Sequence, residues 1–203
     1  MFSTSTQTTA HSTSTTTEFT YSAEFTTTAT QQAPSQQAPA AQTQQTQITE
    51  RDPFQIRFDS ERRLPRELRE EAMGMSWTLF SATYAPMPTV KISGIESRRE
   101  HWCYTTYSAD LTCTSKTSAP QTTHHEVTAS GPAHAFSAML AEEGRHVEIL
   151  EFHQFQLHEA TFTAIKVAHQ INERNTAWAV GFGATSETSI AAAMTSGAQR
   201  IYG

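Results

Sequence analysis

No lysine or arginine occurs before Arg51. A secretory signal needs a basic start followed by an apolar stretch, and a mitochondrial transit peptide needs arginines, so the first fifty residues read as neither. No apolar run approaches the roughly 18 residues that a membrane-spanning helix requires. Cysteine is scarce: Cys103 and Cys113, ten positions apart in a strand-like stretch, are the only two. They make neither a zinc pattern nor a disulfide framework, and the expectation is two reduced thiols. Charge is thin as well, at 17% of residues with a net of -6. An acidic balance lacks the basic face that replaces phosphate counterions, which argues against nucleic acid as a partner. These absences lead to the expectation of a cytoplasmic protein with neither a nucleic-acid nor a membrane partner.

What the first fifty residues do contain is mostly Thr, Ser, Gln and Ala, with Pro34 and Pro39. Such a segment cannot bury enough apolar surface to offset the entropy of ordering it. Residues 1–50 are therefore expected to be a disordered leader or spacer.

Composition changes at Arg51 to a charged, Arg-rich stretch, and residues 51–87 read as a helical connector. Pro65 suits a first helical position, Arg66 to Met73 are good helix formers, and Gly74 stops them. Ser76 can cap a second helix that places Trp77, Phe80 and Tyr84 on one face, ended by Pro86 and Pro88. That apolar face must pack on something.

Residues 88–203 change to a period of two. Thr89–Ser97, His101–Thr114 and His124–Ala129 read as three strands, and Gly131-Pro132 opens a helix carrying Ala135, Phe136, Met139 and Leu140 on one stripe. Gly144 suits the turn after it. The order then repeats. Val147–Phe152, Thr163–Ile171 and Thr176–Phe182 are strands, the last with Trp178, Val180 and Phe182 alternating with Ala177, Ala179 and Gly181. Ser186 can cap a closing helix whose stripe is Ile190, Ala193, Met194 and Ala198. The predicted fold is α+β, two βββα units related by a pseudo-twofold, with the helices on one face of antiparallel sheets. Each unit alone would have too small a core.

Residues with chemical potential do not assemble into a catalytic or metal pattern. His124, His125 and Glu126 are adjacent, so a strand sends their side chains to alternate faces. His153, His158 and His169 have no regular ligand spacing. Glu142-Glu143 and Glu70-Glu71 are neighbours on helices and are expected to be solvated. Ser137 and Ser189 lack a nucleophile-elbow context, and Gly181 with Gly183 is a weak phosphate signal. The expectation is no catalytic residue, no metal and no cofactor.

The run from Gly131 to Phe136, then Val147-Glu148-Ile149-Leu150-Glu151-Phe152, then Ala177-Trp178-Ala179-Val180-Gly181-Phe182, and finally Thr185–Ala193, resembles the C-terminal regulatory domain of 2-isopropylmalate synthase. That family has a G-N-G-P-x-x-A helix start, a V-x-x-L-D-Y strand, a V-W-G-V-G-I strand and an S-x-T-T-A-S-L closing helix. Leu64-Pro65-Arg66-Glu67-Leu68 and Trp77–Tyr84 resemble the helical subdomain of its long, actinobacterial-type members, which implies that the face of Trp77, Phe80 and Tyr84 packs near the catalytic barrel there and is exposed without it. The resemblance covers roughly residues 58–203. It implies a βββα-repeat fold, a twofold homodimer and a role in leucine feedback, with Gly131, Pro132 and Phe152 as the ligand-binding residues. Ala129 stands where the family has its first glycine. The family's catalytic machinery, a TIM barrel of roughly 250 residues with an H-x-H metal pair, has no counterpart in the chain. Three readings follow from the resemblance. The chain is a stand-alone regulatory homologue binding leucine or a related amino acid, a partner that pairs with a full-length 2-isopropylmalate synthase, or a truncated remnant.

Overall fold

The computed structural model describes residues 51–203 apart from His101 and Glu173. The tail expected to be disordered, residues 1–50, lies outside the described residues. Three short helices come first: α1 (Pro53–Phe58), α2 (Arg66–Glu71) and α3 (Trp77–Tyr84). Asp52 starts α1 by accepting from the Gln55 backbone N–H at 2.7 Å, and its second carboxylate oxygen accepts from the Leu64 N–H at 3.2 Å. One buried carboxylate thus caps a helix and pins the segment that follows it. Pro65 proves to be the N-cap of α2 rather than its first helical residue. Ser76 caps α3 as its side chain predicts, accepting from Leu79 N–H at 3.3 Å.

The rest is β1 (Val90–Arg99), β2 (Thr105–Cys113), β3 (Gln121–Ala129) and α4 (Pro132–Glu142), then β4 (Val147–Gln156), β5 (Thr161–His169), β6 (Thr176–Gly183) and α5 (Ser186–Tyr202). The strands form two antiparallel three-stranded sheets, in the orders β1-β2-β3 and β4-β5-β6. In both units the first strand carries a bulge, after Ser93 in β1 and after Ile149 in β4. Helix α4 covers β2 and β3 and reaches across to β4, while α5 covers β5 and β6 and reaches across to β1. That exchange of roles is what a pseudo-twofold pair of βββα units requires. Gly144, with φ of 70°, takes the left-handed position after α4, and Arg145 N–H closes the turn on Leu140 O at 2.8 Å.

A shared core lies between the two units. Leu111, Phe136, Met139, Leu140, Val147, Ile165, Val167 and Met194 are fully buried there. Helix α5 lies unusually close to β6. A methyl group on Gly181 would come within 2.2 Å of Ala193 N, and one on Gly183 within 2.3 Å of Ser189 N. These glycines serve backbone-to-backbone packing, not phosphate binding.

The two sheets differ on their remaining faces. Trp178, Val180, Phe162 and Ala164 form a second core with Phe54, Leu64, Leu68, Phe80 and Tyr84 of the helical connector. The aromatic face expected to be exposed is therefore covered: Phe80 is 0% and Tyr84 2% exposed. The physical reason lies in the alternation of β6, whose Trp178, Val180 and Phe182 point away from α5 and need their own cover. The second sheet is thus covered on both faces, which corrects the expectation of helices on one face only. It also explains why β5 is buried along nearly its whole length, Thr161 and Thr163 included. Lys166, on the connector side of β5, pairs with Glu67 of α2 and so fastens the connector by charge as well. Two smaller expectations also change. Ile171 lies beyond β5 and is 87% exposed. Thr185, not Ser186, caps α5 through a reciprocal capping box with Thr188.

Candidate functional site

The two strand-to-helix junctions, equivalent by the repeat, are built differently. At the second, side chains fill the space. Gln154 Nε2 donates to Thr163 Oγ1 at 2.9 Å and to the Ser186 carbonyl at 3.3 Å, and Ser186 Oγ donates back to Gln154 Oε1 at 2.8 Å. Thr163 and Ser189 hydroxyls meet at 2.5 Å in full burial. At the first junction, Gly131 is the N-cap of α4 and offers no side chain, and Pro132 has no N–H to satisfy. A methyl group placed on Gly131 would meet nothing within 4 Å. Its backbone is extended, at φ of -173°, so glycine is not demanded by conformation there. The uncapped end of α4 therefore opens onto free space, with the positive end of the helix dipole facing it.

Phe152 lies elsewhere. It sits on edge strand β4 opposite Ile165 and is 43% exposed, with the bulged Leu150 beside it at 49%. It lines a cavity of about 540 Å³ with Arg62, Arg63, Pro65 and His153, a lining that does not include Gly131 or Pro132. The structure thus has Gly131 and Pro132 at the start of α4 and Phe152 on edge strand β4, in a cavity that they do not line.

A cluster not foreseen from the sequence joins the far end of α4 to the first sheet. Glu143 accepts from Cys113 Sγ at 3.3 Å and from Thr123 Oγ1 at 3.0 Å. His125 lies 2.5 Å from Glu142 through Nδ1 and 3.3 Å from Glu143 through Nε2. Glu143 is therefore a partly buried hub, not the solvated residue expected from its neighbour spacing, because the inward face of β3 meets it. Burial, then the Glu143 carboxylate, pushes the Cys113 thiol up. The thiol's hydrogen bond in turn holds Glu143 below the usual carboxylate range, against burial. A thiol held protonated is a poor nucleophile, so the cluster acts as a clasp rather than a reactive centre. Its signal was in the sequence: Thr123, His125 and Val127 share the period-two face that ends at buried Ala129, the face α4 must cover.

The alternation expected of the adjacent histidines holds. His125 faces α4, whereas His124 turns to the opposite face and meets Asp110 at 2.8 Å. That opposite face is hydroxyl-rich, with Thr106 paired to Thr128 at 2.8 Å and Thr112 to Thr122 at 2.9 Å. One face on the core and one face in water is a common state for an antiparallel sheet. Ser137 Oγ donates to the Val147 carbonyl at 2.8 Å, so this serine and buried Ser189 serve packing. Both cysteines are free thiols, with Cys103 exposed. Among the described residues, no group of three or more His, Cys, Asp or Glu side chains is arranged to hold a metal ion. No described helix is long and apolar enough to cross a membrane.

No protein-family model matches the chain, and no curated protein matches it in sequence.

Proposed function

We propose that the chain is a regulatory pairing module of the 2-isopropylmalate synthase type, which forms a homodimer and senses leucine or a related branched-chain amino acid. The observation that supports this reading is the contrast between the two junctions. In one βββα unit the helix start is filled by the chain's own side chains, while in the other Gly131 and Pro132 leave it uncapped and open. An uncapped first turn offers backbone N–H groups and a positive dipole end to a carboxylate. The half-exposed Leu150 and Phe152 on an edge strand supply apolar surface for a second copy.

Light scattering across a concentration series tests pairing, and thermal unfolding with leucine, isoleucine or valine tests sensing. The expected outcome is a dimer mass and a rise in melting temperature with one of the three amino acids. A monomer at all concentrations, with no thermal shift, would overturn the proposal.

A further inference from the structure

Three segments, two of them continuing from the clasp residues Cys113 and Glu143, converge on a cavity of about 550 Å³. It is lined by Thr89 before β1, by Thr114, Ser115 and Lys116 after β2, and by Arg145 in the turn after α4. Every charged residue in that lining is a cation. Among the described residues, neither Lys116 nor Arg145 forms an ion pair. Arg145 Nη1 is moreover buried with no hydrogen-bond partner among the described residues. A buried guanidinium N–H with no acceptor is costly, and such groups are nearly always satisfied by something. Glu143, the acid nearest in sequence, is committed to Cys113, Thr123 and His125.

The frame around these cations is fixed. The Arg145 backbone N–H is tied to Leu140 O at 2.8 Å. Thr89 donates both its N–H and its hydroxyl to Gln199 Oε1 of α5, each at 2.8 Å. Thr114 spends its hydroxyl hydrogen on the Thr89 carbonyl at 3.0 Å. Ser115 differs: its Oγ accepts from the Thr117 backbone N–H at 3.3 Å and meets the Thr117 hydroxyl at 3.1 Å, so with Thr117 as the donor of that pair its own hydrogen can turn toward a ligand. The donors on offer are therefore a guanidinium, an ammonium and one hydroxyl, with two positive charges between them.

We infer that this cavity is a binding site for a phosphate dianion, free or as the phosphate group of a small metabolite. Two unpaired cations balance a double negative charge, and a phosphate's terminal oxygens can accept from all three donors at once. A monocarboxylate brings half the charge and two oxygens. The site is distinct from the open start of α4, and its occupancy does not depend on amino-acid sensing.

Titration calorimetry of the full chain with inorganic phosphate, at low chloride and slightly alkaline pH, tests the assignment. The expected result is saturable binding that weakens about tenfold in Lys116→Gln and in Arg145→Gln, the loss of one charge-assisted contact in each case. Arg98→Gln, which removes an exposed cation from another face, should leave it unchanged. Sulfate should compete and acetate should not. Lys116 is exposed, so its variant folds whatever Arg145 contributes to the turn. Absence of saturable binding, equal affinity in Lys116→Gln, or acetate competing as well as sulfate would each overturn the proposal.

Discussion

Tyr84 at the end of α3 donates its phenolic hydroxyl to the Glu71 carboxylate at the end of α2, 3.2 Å away. The Arg200 guanidinium of α5 lies over the same ring, 4.9 Å from its centre. One aromatic side chain therefore joins the connector's last two helices to the closing helix of the domain. Burial first, and the neighbouring Glu71 charge second, push the Tyr84 hydroxyl up to about 12. A folded-state pKa above the unfolded value means that the protonated group favours the folded state. The contribution is complete below the ordinary tyrosine range near 10 and is lost as pH rises from there toward 12. Tyrosinate absorbance should show an ionisation step well above the ordinary tyrosine range, together with alkaline unfolding. Tyr84→Phe should remove that late step. If the native chain lacks that late step, or the variant keeps it, Tyr84 is not held as described.

The connector behaves as part of the core, and stability measurements can separate its two sides. Phe80 is fully buried against β6, so Phe80→Ala should cost about 3–5 kcal/mol in urea unfolding. Leu79, one residue earlier, is 53% exposed, and Leu79→Ala should change stability by no more than about 0.5 kcal/mol. Equal effects at both positions would contradict the buried packing of α3.

Two glycines of opposite character give a second pair of variants. Gly181→Ala forces a methyl group onto the α5 backbone, where the nearest atom is at 2.2 Å. It should strongly lower the melting temperature or prevent folding. Gly131→Val meets open space and an extended backbone, so its circular dichroism and melting temperature should stay close to native. Reversal of that order would mean that α5 does not lie on β6 as described.

The clasp predicts unequal cysteines. Cys103 is exposed, whereas Cys113 is partly buried and its thiol is pushed up. A thiol reagent at neutral pH should label Cys103 first and Cys113 slowly. Glu143→Gln removes the carboxylate that the thiol bonds. Because the folded-state pKa of Glu143 is depressed, its contribution is present at neutral pH and is lost as pH falls through the carboxylate range. The Gln variant should therefore show a shallower loss of stability toward acid. Identical acid profiles would remove Glu143 from the clasp.

Much of this fold was legible because β6 states its own surroundings. The alternation of Trp178, Val180 and Phe182 with Ala177, Ala179 and Gly181 identifies one face for large side chains and one for a close helix, and both are found. What covers the aromatic face was not legible, since periodicity says that a face is buried but not by which element. The connector's aromatic stripe and the outer stripe of β6 were each visible, and only the three-dimensional arrangement pairs them. The clasp was missed for a related reason. Neighbour rules on a helix describe Glu142 and Glu143 against their own helix, not against the strand that arrives opposite. The local pattern of Gly131 and Pro132 marked a helix start, which is where they lie, whereas their ligand role was assigned by resemblance. Phe152 was assigned with them by the same resemblance, and it lines a cavity on β4 whose lining does not include them.

Calorimetric titration of the full chain with leucine, set beside the well-folded Gly131→Val variant, tests most directly whether the open start of α4 receives an amino acid. The expected result is saturable heat with the native chain, for leucine or for isoleucine or valine in its place, and none with the variant. Heat that is equal in the two proteins, or absent from the native chain for all three amino acids, would contradict a sensing role at this junction.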